Sequence, residues 1–394
     1  MKHPIRSSTS QATGRPVTHL ARRKLLAMAA TLPWLGAGSV RAQEGSIKIA
    51  QSTALSGPLA DLGSAMHQGA KAAFAAINAK GGVQGRTIEL ATLDDAYEVP
   101  KALANVDRFL ADSSYFALFN CMGTPMIDAM LPKVIESGIP FFAPFTGAQL
   151  SRTKTARNVF NIRASYADEA EKLVQHLSTI GIQRIGIVYQ NNSFGKEVFD
   201  SARQSMSRLK LPEAAAVTVE NNASDAGAAA AKLAEANPEA VVIGLAGKPT
   251  LEFVKAFRAL RRGVTLYALS VMGTPATVKA LGADATRMAI SQVVPLPSHV
   301  VTPVVRDFQA AWKASGATAE PSHLALEGYI NARVFAEALQ RAGRNPTRAA
   351  FIDATWNLKK WDLGGFEINA TTPDRNASRF VELTLVGRDG RFIR

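Results

Sequence analysis

From Ile47 onward, short apolar runs alternate with stretches of helical spacing, and that alternation decides the fold class. Ile47-Lys48-Ile49-Ala50 reads as a strand. After it, Leu62, Ala65-Met66, Gly69-Ala70, Ala73-Phe74 and Ile77 fall on one face of a helix over 59–79. Gly81-Gly82 stops that helix as a C-cap does. A strand over 87–93 ends in Asp94-Asp95, and Pro100 lies near the start of a helix carrying Ala102, Val106 and Phe109-Leu110. Strand 115–119, helix 125–137 and strand 139–143 follow. Such units pair their strands in parallel and cover the sheet with helices on both faces.

A second series begins after Arg163 and repeats the first. Helices are expected over 168–180, 196–209, 226–237, 250–262 and 275–281. Strands are expected over 184–189, 217–220, 240–244, 266–269 and 291–294. Two similar α/β lobes meeting across a cleft are the expected fold. The tail differs: helices over 304–315, 322–342 and 347–356 have no strands between them and should pack back onto one lobe. Short strands over 366–369 and 380–386 close the chain.

The first 42 residues are of another kind. They hold seven of the 45 basic residues and no acid, and 25–37 is apolar or small. Val40-Arg41-Ala42 offers small residues where a signal peptidase reads. This is the pattern of a cleaved secretory signal, with an apolar core too short to span a membrane. Arg22-Arg23 followed by Lys24-Leu25-Leu26 resembles a twin-arginine signal without its usual upstream Ser and central Phe, so either export route stays open. A periplasmic protein without stable membrane insertion is expected. Past the leader, 38 basic residues face 32 acidic ones. That modest excess, with no aromatics interleaved among Arg258, Arg261-Arg262 and Lys359-Lys360, excludes a nucleic-acid surface.

Two stretches suggest a site. Phe119-Asn120-Cys121-Met122-Gly123-Thr124-Pro125 and Pro144-Phe145-Thr146-Gly147-Ala148 each follow an apolar run and switch to small and hydroxyl residues. Such turns on neighbouring strands place backbone N–H groups and hydroxyls at the carboxyl edge of a sheet, where a small anion can sit.

Enzyme chemistry finds no support. Gly247-Lys248 has Val242 and Pro249 where a phosphate-binding loop needs Gly and a hydroxyl. No Gly-x-Gly-x-x-Gly, Gly-x-Ser-x-Gly or His-Glu-x-x-His occurs. Past the leader, His67, His176, His299 and His323 lie scattered, without ligand spacing. Asp94-Asp95 reads as a polar turn more readily than as a cation site. Cys121, the one cysteine, reads as a packed thiol. No metal or cofactor is expected.

Leu55-Ser56-Gly57-Pro58, then Ile77 to Gly85 (INAKGGVQG), Asp94-Asp95, Ala143 to Ala148, Arg184 to Tyr189, Phe194-Gly195 and Leu326 to Tyr329 resemble the periplasmic leucine/isoleucine/valine-binding protein family, in order over nearly the whole chain past the leader. The resemblance implies a type I periplasmic-binding fold, with lobes formed by 43–163 plus 299–378 and by 164–298 plus 379–394. Three crossing segments, near Arg163, at 295–299 and at 376–380, would join them. It also implies a monomer that captures a small solute by hinge closure and delivers it to the permease and ATPase subunits of an ABC importer.

Carried over by position, the carboxylate-binding turns are Met122, Gly123 and Thr124, and Phe145, Thr146 and Gly147. Ser56 lies in the Gly-Pro loop, Tyr166 and Phe194 are cleft aromatics, and Lys248 and Met272 belong to the opposite wall. The family's ammonium-holding acid should follow 266–269, but that stretch reads Ser270-Val271-Met272-Gly273-Thr274. A small carboxylate-bearing solute, an amino acid or a related organic acid, is expected; the missing acid argues against the branched-chain amino acids and leaves open whether the solute carries an ammonium. A ligand-sensing module of the same fold is the alternative, and a secreted hydrolase is disfavoured.

Overall fold

The computed structural model describes residues 44–152, 156–372 and 375–394. The expected signal segment lies outside them. In chain order the first half runs β1 (Glu44–Thr53), α1 (Ala60–Ala79), β2 (Arg86–Asp94), α2 (Val99–Ala111), β3 (Tyr115–Phe119), α3 (Thr124–Ser137), β4 (Phe141–Phe142) and β5 (Val159–Phe160). These strands form one parallel sheet in the order β2-β1-β3-β4-β5. Ala50 of β1 lies beside Ala91 of β2 and Leu118 of β3, so β1 has apolar neighbours on both sides.

The second half runs α4 (Tyr166–Thr179), β6 (Ile185–Gln190), α5 (Ser193–Arg208), β7 (Glu213–Val219), α6 (Ala226–Glu235), β8 (Ala240–Gly244), α7 (Lys248–Leu260), β9 (Thr265–Ala268), α8 (Pro275–Leu281) and β10 (Met288–Gln292). Then come α9 (Pro303–Ala314), α10 (His323–Ala342), α11 (Arg348–Trp356), the hairpin β11 (Trp361–Asp362) and β12 (Glu367–Ile368), and β13 (Glu382–Val386) and β14 (Phe392–Ile393). The second sheet has the order β14-β13-β10-β9-β8-β6-β7, parallel from β7 to β10, with β13 and β14 antiparallel at one edge. The fold is α/β and two-lobed, each lobe built on one sheet.

The tail helices return to the first sheet. Phe335 of α10 meets Phe74, Phe119 and Phe142 edge-on, at centroid distances of 6.3, 5.7 and 5.2 Å. Arg348 donates to the carbonyls of Phe116 and Tyr115. Helices α1 and α10 touch through glycine. A Cβ on Gly69 would lie 1.8 Å from the Ala325 carbonyl oxygen, and one on Gly328 2.0 Å from that of Met66.

The strand expected over 139–143 is cut to Phe141–Phe142. Pro140 has no N–H to give, and Ala143 turns to φ 51°. Strand β5 was not anticipated, because two residues carry no alternation. Strand β7 starts four residues before the expected Val217, since the run Ala214-Ala215-Ala216 carries no β-branched signal.

Candidate functional site

At the carboxyl end of the first sheet the two expected turns lie side by side. Asn120 leaves β3 at φ 49°, and Met122 pairs with Phe145 in a parallel bridge. The bridge consumes amides: Gly123 N donates to Phe145 O at 3.2 Å, Phe145 N to Cys121 O at 2.9 Å, and Met122 N to Ser52 O at 3.0 Å. Thr146 N is taken by the Pro144 carbonyl at 2.8 Å. These four turn amides are therefore taken, which narrows the expected amide cradle, and hydroxyls face the cleft beside it. Thr124 Oγ1 and Thr146 Oγ1 are 2.7 Å apart, Ala148 N donates to Thr146 Oγ1 at 3.1 Å, and Tyr166 lines the same cavity as Thr124.

The opposite side is set by two helix starts. Ser165 caps α4, accepting from Asp168 N at 3.1 Å while the Asp168 carboxylate accepts from Ser165 N at 2.9 Å; this reciprocal cap fixes Tyr166 as the first helical residue. Asn192 caps α5 through Gly195 N at 3.0 Å and so places Phe194. The rings of Tyr166 and Phe194 meet edge to face at 5.2 Å. Gly147 is required here, since its Cβ would lie 2.5 to 2.7 Å from the ring and backbone of Tyr166.

These groups enclose an empty volume of about 270 Å³, part of it open to solvent. Its lining is Leu59, Leu62, Tyr97, Met122, Gly123, Thr124, Phe145, Tyr166, Phe194, Ala246 and Val271. Six of the proposed residues are thus brought together: Met122, Gly123, Thr124, Phe145, Tyr166 and Phe194. Thr146 and Gly147 stand directly behind them. Three lie elsewhere. Ser56 is exposed and donates its hydroxyl to Asp94 at 2.5 Å. Lys248 is exposed on the rim, its backbone N–H given to Pro58 O at 3.2 Å. Met272 is buried in the core of the second lobe, and its neighbour Val271 takes the wall.

The sequence reading missed Tyr97, Leu59, Ala246 and Val271 as wall residues. Tyr97 had one signal, its place just after two carboxylates that hold the turn. Asp94 Oδ1 accepts from Leu55, Ser56 and Ala96 N, and buried Asp95 accepts from Ser52 Oγ and Tyr97 N. Burial raises the Asp95 carboxyl to about 6 against those two donors, while the Ser56 hydroxyl and backbone donors around Asp94 outweigh its slight burial and hold that carboxyl down to about 2.

Charge lies one layer behind the cavity. The Arg163 guanidinium stands 5.4 Å from the Phe145 ring centre and 5.6 Å from that of Tyr166. It donates to Glu169 at 2.9 Å and to Ser270 Oγ, while Glu327 lies 3.6 Å away. Ser270 N and Ser291 Oγ complete the Glu169 shell at 2.9 and 2.7 Å. The loop that lacks the expected acid therefore turns its serine inward, toward Glu169, and Val271 outward. Among the described residues, no cluster of three His, Cys, Asp or Glu side chains could hold a metal, and no helix is long and apolar enough to cross a membrane. Burial pushes the Cys121 thiol up to about 12 and draws His67 down to about 4, so neither is poised for chemistry at neutral pH.

A cavity walled from two sheets by aromatic and hydroxyl side chains is the architecture of a two-lobed binding protein, which encloses a solute rather than transforming it. The family model described as periplasmic binding protein matches residues 46–391, and the chain belongs to that family. It is 25% identical to Leu/Ile/Val-binding protein homolog 3 of Brucella melitensis over 56% of this chain, and spans 60% of that relative's length. A substrate-binding periplasmic protein from Ralstonia solanacearum superposes with a TM-score of 0.83 at 33% identity, covering 88% of this chain and 99% of that one. An ABC-transporter solute-binding protein from R. palustris, solved with benzoate, gives 0.79 at 19% identity over 89% of this chain and 95% of that one. The family and these neighbours are solute-binding proteins, not enzymes.

Proposed function

We propose that this chain is the periplasmic solute-binding subunit of an ABC importer and that it captures a small carboxylate-bearing solute without an ammonium group. In this reading 43–163 plus 299–378 and 164–298 plus 379–394 are the two lobes, hinged near Arg163, 295–299 and 376–380. The carrying observation is the lining. Thr124 and Tyr166 supply hydroxyl donors, Phe145, Phe194, Leu59, Leu62 and Val271 supply an apolar body, and no Asp or Glu faces the space. An ammonium shut in such a cavity without a counter-charge costs several kcal/mol. A carboxylate fits better, accepting hydrogen bonds from the Thr124 and Tyr166 hydroxyls that line the space. In the R. palustris neighbour the same fold holds an aromatic acid.

Calorimetric titration of the mature protein tests this. Aromatic and short aliphatic carboxylic acids are expected to bind, and leucine, isoleucine and valine are not. Binding of any of those three at about 1 μM, roughly −8 kcal/mol, would overturn the ligand class.

A further inference from the structure

Tyr97 is placed by strain. It and Ala96 both occupy the left-handed region, at φ 62° and 51°. That conformation is strained for a non-glycine residue. Two carboxylates hold the pair there: Ala96 N donates to Asp94 Oδ1 at 2.9 Å, and Tyr97 N to Asp95 Oδ1 at 3.0 Å. The result is a ring turned into the cavity from the loop between β2 and α2. Opposite it the chain has no side chain: a Cβ on Gly123 would lie 2.2 Å from Met126 Cε and 2.8 Å from Tyr97 Cε2. The space a cradle side chain would fill at 123 is shared by Met126 and the Tyr97 ring. Across the cavity from it lie Phe194, placed by the Asn192 cap of α5, and Val271.

We propose that Tyr97 is the specificity-determining residue of this cavity: its ring limits the length of solute accepted. The proposal rests on the solute-binding reading of the cavity, though not on the solute being an acid.

The test is calorimetry on two matched series of rising length, carboxylic acids and their primary amides, with wild type, Tyr97→Phe, Tyr97→Leu and Tyr97→Ala. Wild type is expected to show a sharp length limit. Tyr97→Leu and Tyr97→Ala should move that limit outward, gaining at least tenfold for solutes one ring or several carbons longer and losing about tenfold for the shortest. Tyr97→Phe keeps the ring and should keep the limit; a limit that moves in this variant overturns the ring as its cause. If Tyr97→Ala fails to fold, Tyr97→Leu carries the size arm. An unchanged length ranking in the Leu and Ala variants overturns the role of Tyr97 whichever series binds. Preference for amides overturns the carboxylate reading and leaves the length limit to be read on that series. A wild type that binds neither series overturns both.

Discussion

Arg163 carries one positive charge between two buried carboxylates, and they do not share it equally. Glu169 takes the short contact and three further donors, whereas Glu327 stands 3.6 Å off on α10. Burial therefore outweighs the attraction of Arg163, and the neighbouring Glu169 adds to it, so the Glu327 carboxyl rises to about 7. The sign follows from which state binds protons more tightly. Below the ordinary carboxyl range both states are protonated and the contribution is complete; as pH rises through about 7 the folded protein must ionise a buried acid, and stability falls. Denaturant unfolding between pH 5 and 8 should lose on the order of 2–3 kcal/mol from this group, and Glu327→Gln should flatten that slope. An identical slope in the variant would count against the assignment. The hydroxyls make a second prediction. Thr124→Val removes the hydrogen bond to Thr146 and a hydroxyl from the cavity wall, and should weaken acid binding about tenfold by calorimetry, with a stability cost near 1 kcal/mol. Equal affinity in the variant would remove Thr124 from the site. Gly123, Thr124 and Thr146 were legible because small and hydroxyl residues after apolar runs have few other uses. Tyr97 was not, because a left-handed tyrosine is an outcome of Asp94 and Asp95 bonding rather than of composition.

Elements were readable in proportion to how much they owe to their own sequence. Helix α1 ended at Ala79, as Gly81-Gly82 implied, and the amphipathic α10 fell within a residue of expectation. The two-residue strands β4 and β5 owe theirs to neighbours: Phe141 N donates to Asn158 O at 2.7 Å and Ala143 N to Phe160 O at 2.8 Å, and no local pattern encodes such pairing. The crossing of α1 and α10 was hidden for the same reason, since glycine in a helix reads as a weakness until the partner backbone is in view. Gly328→Ala would drive a methyl carbon to 2.0 Å from Met66 O, so the helices must separate. We expect a loss of about 2–3 kcal/mol in denaturant unfolding, where an exposed helical Gly→Ala change would stabilise. A neutral or stabilising result would show that the crossing yields.

Across the whole molecule, the lobes meet through direct contacts. Lys248 N donates to Pro58 O at 3.2 Å, Gln149 N to Glu197 at 3.1 Å, and the hydroxyls of Thr274 and Thr277 to Asp61 at 3.2 and 3.0 Å. Gly247 lets the rims approach: at φ 58° it stands where a Cβ would lie 2.6 Å from Pro58 O. Gly247→Ala should act as a wedge. Solution X-ray scattering at saturating solute is expected to give a larger radius of gyration than wild type, with affinity reduced at least tenfold; unchanged dimensions and affinity would rule the wedge out. Two α/β units and their number were plain in the alternation of the chain. The shut cleft was not, because its contacts join residues far apart in sequence through backbone atoms that every residue carries.

The return of the tail to both sheets also has a consequence in time. A ribosome making this chain delivers α1 long before α10, whose backbone it touches at Gly69, and delivers β10 before β13, which covers its edge. Until the end is made, the nascent chain holds an unpartnered apolar helix and an open strand edge, both surfaces that invite association with other chains. A message truncated shortly after α11 would leave β10 uncovered for good, and its product should be recovered in the insoluble fraction.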